Sequence, residues 1–93
     1  MDHQRAEIIA INSLSFIAAD EIILASYLNL SGTDLNQVKD NLSNPETMEG
    51  ILASVLDYLL QNEKCLIKFS NTHQLDPTEI RAARHCFPGA IHD

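Results

Sequence analysis

Residues 16–39, FIAADEIILASYLNLSGTDLNQVK, recur as residues 58–81, YLLQNEKCLIKFSNTHQLDPTEIR, at a constant offset of 42 residues. Apolar positions match along both stretches, as they do in any two amphipathic helices. Polar positions match as well, since Asp34 aligns with Asp76 and Asn29 aligns with Asn71. Because polar matches at fixed spacing are harder to obtain by chance, they indicate one helical unit that occurs twice.

Each unit is predicted to contain three helices, because apolar residues recur every three to four positions with polar residues between them. The clearest helix start is Asp76-Pro77-Thr78-Glu79, which has a capping Asp, a Pro at the first helical position and a Glu three residues after the cap. The predicted helices cover about residues 4–18, 21–30, 35–42, 45–61, 63–72 and 77–86. The fold class is therefore all-α, a compact bundle of five to six short helices. We predict one domain over residues 1–93, with unit one at about 4–43, unit two at about 44–86 and a flexible tail at 88–93.

Five Asp and Asn residues at the predicted helix starts are interpreted as structural caps. A side-chain oxygen at this position accepts a hydrogen bond from a free N–H group of the first helical turn. The five are Asp20, Asp34, Asn44, Asn62 and Asp76. A break at Asn62 is favoured, although one kinked helix over residues 45–72 stays open. The N-terminal helix is apolar on almost every side, so we expect it to be more deeply buried than the helix at 45–61.

The distribution of charge argues against nucleic acid as the main partner. The chain has a formal net charge of −7, with nine acidic and two basic residues in 1–62 and four of each in 63–93. An acidic chain repels phosphate backbones. No apolar stretch reaches the ~20 residues that span a bilayer, so we predict no membrane segment. Two cysteines do not make a disulfide framework, and we predict a cytoplasmic location.

The sequence offers no pattern of catalysis or of cofactor binding. It has no Gly-rich phosphate loop and no nucleophile motif, so we predict no catalytic residue, no cofactor and no small-molecule substrate. Four Cys and His residues are the only candidate ligands for a soft metal, and their spacing differs from that of known zinc sites. They are Cys65, His73, His85 and Cys86. Whether they converge stays open, and no metal site is predicted.

A surface for another protein is the remaining function class. Four basic residues of unit two align with uncharged residues of unit one: Lys64, Lys68, His73 and Arg84. Together with Arg81 and Phe87 they form the predicted interaction face. We predict a non-catalytic protein that binds another protein or itself. The alternative is a nucleic-acid-associated regulator that uses the four Lys and Arg residues of this face. Apolar residues at helix ends either close the core or form a partner groove: Leu30, Leu35, Leu75, Phe87 and Ile91.

Residues 15–40, SFIAADEIILASYLNLSGTDLNQVKD, and 51–84, ILASVLDYLLQNEKCLIKFSNTHQLDPTEIRAAR, resemble a family of small alphaproteobacterial proteins classed only as a domain of unknown function. The likeness covers residues from about 6 to 86. Its specific parts are Ala19-Asp20-Glu21, Leu30-Ser31-Gly32, the run 55–60 with Glu63, and Leu75-Asp76-Pro77. The resemblance implies a bacterial, cytoplasmic, stand-alone helical protein of about ninety residues. It brings no catalytic residue with it.

Overall fold

Six α-helices form the protein in the computed structural model, which describes residues 1–89. They are α1 (His3–Ala18), α2 (Glu21–Ser31), α3 (Leu35–Leu42), α4 (Pro45–Gln61), α5 (Glu63–Thr72) and α6 (Pro77–His85). These bounds agree with the predicted helices to within one residue, and residues 45–72 form two helices rather than one. Ala90–Asp93, which include Ile91 and most of the predicted tail, lie outside the described residues.

The helix starts follow from the capping residues. Asp34 and Asp76 each form a capping box, in which the side chain at the third helical position accepts from the N–H of the cap. Asn44 accepts from the N–H of Glu46 at 2.9 Å. Asn62 occupies the N-cap position of α5, but its side chain makes no capping bond there. Its Nδ2 instead donates to the Tyr58 carbonyl at 2.7 Å, so it closes the end of α4, and the prediction for this cap is corrected.

The junction of α1 and α2 is a sharp break at Ala19 and Asp20. Asp20 Oδ1 accepts from the N–H of Ile22 at 2.9 Å and of Ile23 at 3.2 Å, which starts α2 in a new direction. The axes of the two helices are bent by 113° relative to each other. Within residues 1–89, no single helix has the length and apolar composition of a membrane span, and α1 with α2 reaches them only across this bend.

Helix α4 lies at the centre of the core. It packs against all five other helices, and seven of its side chains are buried: Ile51, Leu52, Ala53, Val55, Leu56, Tyr58 and Leu59. In α1, by contrast, five residues are buried, while Ile8 and Ile11 are exposed. The expectation that α1 would be the more deeply buried helix is therefore wrong. The radius of gyration of 12.2 Å matches the roughly 12 Å of a compact domain of this length.

The 42-residue offset of the sequence recurs in the geometry of the helices. α1, α2 and α3 begin at residues 3, 21 and 35, and α4, α5 and α6 begin at 45, 63 and 77. Phe16 packs edge to face on Phe69 with ring centroids 5.5 Å apart, and the aligned residues Tyr58 and Tyr27 do the same at 5.8 Å. Each ring pair joins one unit to the other. The repeat stays a prediction from the sequence, and these matched features agree with it.

The turns after α2 and α5 also use the same backbone conformation. Gly32 closes α2 with a φ of 69°, in the left-handed region that glycine adopts without a steric penalty. Gln74, which aligns with Gly32, has a φ of 54°. A left-handed residue with a Cβ is strained, so the second turn has the same shape at a higher energetic cost.

The beginning of the chain contacts the end of α6. Arg5 Nη2 donates to Glu79 Oε1 at 3.0 Å, and the Sγ of Cys86 donates to the Met1 carbonyl at 3.3 Å. The rings of His3 and Phe87 lie 5.3 Å apart. These contacts hold α1 against α6 and close the arrangement of helices.

Candidate interaction surface

The outward side of α1 carries five exposed residues without a charge, which we call the α1 stripe: Gln4, Ile8, Ile11, Ser15 and Ala18. They follow one another at intervals of four and three residues, so they lie along one face of the helix over about 21 Å. Ile8 and Ile11 are 55% and 44% exposed. Large aliphatic side chains at this spacing, turned away from the core, are typical of a contact surface rather than of a solvated helix face.

The matching face of α4 is partly covered by another helix, while its first two positions, Glu46 and Gly50, are exposed. Its residues, 42 positions further on, are Glu46, Gly50, Ala53, Asp57 and Leu60. α6 packs against both α1 and α4, and its Arg84 bonds to Asp57. Ala53 is 6% exposed. α3, the helix that corresponds to α6, packs mainly against α4, so the α1 stripe keeps its exposure.

Acidic side chains outnumber basic ones at the edges of the α1 stripe. On one edge, Glu7 and Glu49 lie 3.8 Å and 3.2 Å from Nε2 of His3. On the other edge, Arg5 pairs with Glu79. Three carboxylates therefore face one arginine and one histidine, so the surroundings of the uncharged stripe are acidic.

Two of the six residues of the predicted interaction face are buried, and they are removed from it. Arg84 is 7% exposed and Phe87 is 3% exposed. The Nε of Arg84 donates to Asp57 Oδ1 at 2.7 Å, and its Nη1 donates to the carbonyls of Phe87 and Pro88 at 3.2 Å and 3.0 Å. The periodicity of α6 did not reveal this arrangement, because Asp57 lies 27 residues earlier in the chain.

The other four residues of the predicted face are exposed: Lys64, Lys68, His73 and Arg81. Lys64 and Lys68 are one turn apart on α5, so they share a face of that helix. The ring of His73 lies 4.5 Å from that of Phe69. Arg81 is on another helix, α6. The burial of Arg84 removes one of the four bases on which the nucleic-acid alternative depends.

A cleft of about 260 Å³ lies between the end of α2 and the last turns of α4. Its lining residues are Tyr27, Leu30, Ser31, Ser54, Asp57, Tyr58 and Gln61. Tyr27 Oη and Ser54 Oγ are 2.6 Å apart, and Ser54 Oγ donates to the Ile51 carbonyl at 2.7 Å. Because the serine has only one proton to donate, the phenol of Tyr27 is the donor in the first bond. Burial raises the pKa of Tyr27 above its ordinary 10.0, and Ser54 opposes this effect because its hydroxyl can turn and donate to the phenolate.

The cysteines and histidines do not form a metal cluster in the described part of the chain. Residues 1–89 contain no group of three or more His, Cys, Asp or Glu side chains placed to hold a metal ion. Cys65 is half-buried and packs against the core, in the position that Ile23 takes in unit one. Cys86 is also half-buried, and its Sγ contacts the backbone of Met1 and Ala82.

Comparison with known proteins gives the family and no function. No curated protein matches the chain, and no solved structure matches it. Residues 3–90, which include all six helices, match the sequence profile of the family described as "Protein of unknown function (DUF3572)". The chain therefore belongs to the DUF3572 family.

Proposed function

We propose that this protein is non-catalytic and acts by binding another protein through the α1 stripe. The observation that carries the proposal is the exposure of Ile8 and Ile11 on a helix whose opposite face lies in the core. Complete burial of such a side chain contributes roughly 1.5–3 kcal/mol relative to full exposure, so half-exposed isoleucines still leave a useful part of this energy to a partner. Aliphatic residues spaced along one helix face are the pattern of helix-to-helix recognition.

The partner that fits the α1 stripe best is an amphipathic helix with basic residues beside its apolar face. Within the protein, α6 packs against α4 and places Arg84 against Asp57 on the matching face. Glu7 and Glu49 at the edge of the stripe would attract basic residues of the partner. A second copy of the chain fits less well, because two molecules of charge −7 repel each other.

Site-specific photocrosslinking in the encoding organism tests the proposal. Benzoylphenylalanine in place of Ile11 is expected to form an adduct with one protein, and mass spectrometry should place the crosslink on a basic amphipathic helix. The matched control is the same residue in place of Ile67, which is 46% exposed on α5. Adducts of equal yield from both positions, or from neither, would overturn the proposal. An adduct of twice the chain mass would assign the stripe to a second copy instead.

A second test introduces a charge into the α1 stripe. We expect Ile8→Glu to abolish the adduct at position 11, because a carboxylate in the stripe would be buried without a partner. Ile67→Glu should leave that adduct in place. Because both side chains are about half-exposed, each variant should lower the free energy of unfolding by a similar amount, roughly 1 kcal/mol. Loss of binding in Ile8→Glu alone, at equal stability of the two variants, would then separate recognition from folding.

A further inference from the structure

We infer that the cleft between α2 and α4 binds the ammonium group of a small alkyl amine. This inference goes beyond the proposed function, because none of the seven lining residues belongs to α1. It rests on three features of the cleft: a carboxylate, the carbonyl ends of two helices, and a pair of tyrosine rings beside a leucine.

The carboxylate of Asp57 gives the cleft its charge. Its side chain is 45% exposed, and one oxygen accepts from Nε of Arg84 at 2.7 Å. A carboxylate has about four acceptor positions, so Asp57 can accept further bonds from the cleft. The Nη1 of Arg84 bonds to the carbonyls of Phe87 and Pro88, and no Lys or Arg is among the described residues that line the cleft.

Two helices end at the same cleft. Leu30 and Ser31 are the last two residues of α2, and Gln61 is the last residue of α4. The carbonyl end of a helix carries a partial negative charge and stabilises a cation placed beside it. The two helix ends and Asp57 therefore favour a positive ligand over a negative one at this position.

The remaining lining residues fit an alkyl chain attached to the cation. The rings of Tyr27 and Tyr58 are 5.8 Å apart and nearly perpendicular, at 89°. The two tyrosines are 1% and 6% exposed and form an apolar floor of the cleft, and Leu30, which is 63% exposed, offers a further apolar contact to methylene groups. A volume of about 260 Å³ lies below the range of roughly 300–1,000 Å³ typical of drug-sized ligands, so the ligand is small.

Titration of the ¹⁵N-labelled full chain with pentylammonium, followed by NMR, tests the inference. Pentanol and pentanoate are matched probes with the same chain and a neutral or negative head. We expect pentylammonium to shift the amide signals of Leu30, Ser31 and Asp57 with a Kd on the order of 1 mM, and to weaken as salt is added. Pentanol should bind at least about tenfold more weakly, and pentanoate should not shift these signals. Equal shifts by pentanol and pentylammonium would overturn the inference.

Two variants test the site itself. Gln61→Lys places a tethered ammonium at the cleft, so it should weaken pentylammonium binding by at least about tenfold. Asn71→Lys, at an exposed position of α5 outside the cleft, should leave binding unchanged. Asp57→Asn should also weaken binding by at least about tenfold. If the loss of the bond to Arg84 unfolds Asp57→Asn, the Gln61→Lys comparison still decides, and equal affinity in Gln61→Lys and the unchanged protein would refute the inference.

A further arm distinguishes two sources of the same chemistry. Nα-acetyl-lysine N-methylamide carries the same ammonium head on a piece of peptide backbone. Binding as tight as that of pentylammonium supports the cleft as a site for a lysine side chain of another protein. Binding at least about tenfold weaker supports a free amine as the ligand. Neither result depends on the α1 stripe, so this inference and the proposed function fail or succeed separately.

Discussion

The Nε of Arg84 donates to Oδ1 of Asp57 over 2.7 Å, and this bond joins the last helix to the central one. The same guanidinium donates to two carbonyls of the turn that follows α6, those of Phe87 and Pro88. Arg84 thus fixes three segments at once, and its side chain is 9% exposed. The charge pattern predicted Arg84 on an exposed face, whereas the structure places it at the edge of the core, where it stabilises the fold.

Arg84→Ala is expected to lower the free energy of unfolding by about 2 kcal/mol. Most of this loss comes from two carbonyls that lose their donor and from lost packing, since each buried group left without a partner costs about 1–3 kcal/mol. The ion pair itself adds less, because Asp57 is 45% exposed and water screens it. Urea unfolding followed by circular dichroism measures the change. Arg81→Ala, an exposed change on the same helix, should stay within about 0.5 kcal/mol, and equal losses in the two variants would contradict this account.

Tyr27 is expected to make the fold less stable at alkaline pH. Burial raises the pKa of its phenol above 10.0, so the neutral form is favoured in the folded state. This contribution to stability is fully present below pH 10 and is lost as the pH rises through the raised pKa. Urea unfolding at a series of alkaline pH values should show the decline, and Tyr27→Phe should reduce it.

Ser54→Ala gives the control for the titration of Tyr27. The bond to Ser54 lowers the pKa of the phenol and so opposes burial. Its removal is therefore expected to raise that pKa further, which ultraviolet absorbance of the folded protein can follow. An unchanged or lower pKa in Ser54→Ala would contradict the view that the Ser54 hydroxyl stabilises the phenolate.

The capping box of α6 is expected to make the fold less stable at acidic pH. The N–H and the hydroxyl of Thr78 hold the pKa of Asp76 below its usual 3.8, and the N–H of Asp76, followed by Arg5, holds that of Glu79 below 4.5. This stability is present above the ordinary values and is lost as the pH falls through the lowered ones. Asp76→Asn keeps a capping oxygen that does not titrate, so its urea midpoint should fall less between neutral pH and pH 3. Asp40→Asn, at an exposed site on α3, is the control. Its urea midpoint should fall between neutral pH and pH 3 by as much as that of the unchanged protein.

Gln74→Gly is expected to stabilise the protein by up to about 1 kcal/mol. The left-handed conformation costs a residue with a Cβ roughly 1–2 kcal/mol, and the extra freedom of glycine in the unfolded chain removes about half of the gain. Gly32→Ala should lower the free energy of unfolding by about 1 kcal/mol, because alanine is strained in the left-handed conformation. The loss should not be larger, since an added Cβ at Gly32 meets no atom within 4 Å. Calorimetry measures both variants, and a loss of stability in Gln74→Gly would contradict the argument.

The helix bounds could be predicted from the sequence because their signals are local. Asp34 and Asp76 each sit three residues before a Gln or Glu, and Pro45 and Pro77 open α4 and α6. Such patterns depend only on neighbours in the chain. Asn62 was harder, because it stands between two helices and its amide serves the end of the first rather than the start of the second.

The burial of α1 and the candidate sites could not be predicted, because they depend on contacts far apart in sequence. Apolar composition alone predicted α1 to be the more buried helix. In the structure, the position of α6 decides which apolar faces are covered. The bonds of Tyr27 to Ser54 and of Arg84 to Asp57 each span 27 residues. No periodic pattern reports such a pair. The apolar composition of α1 likewise gives no sign that Ile8 and Ile11 are exposed.

The contact of Met1 with Cys86 has a consequence for how the chain could be rearranged. Because the Sγ of Cys86 lies 3.3 Å from the Met1 carbonyl, Gly89, three residues further on, is close enough to Met1 for a flexible linker to connect the two and leave Phe87 and Pro88 in place. New ends could then be opened at the exposed Ser43 and Asn44, between α3 and α4. The resulting circular permutant would begin with the central helix of the core, and its refolding rate would show whether folding depends on the order of α1 and α4 along the chain.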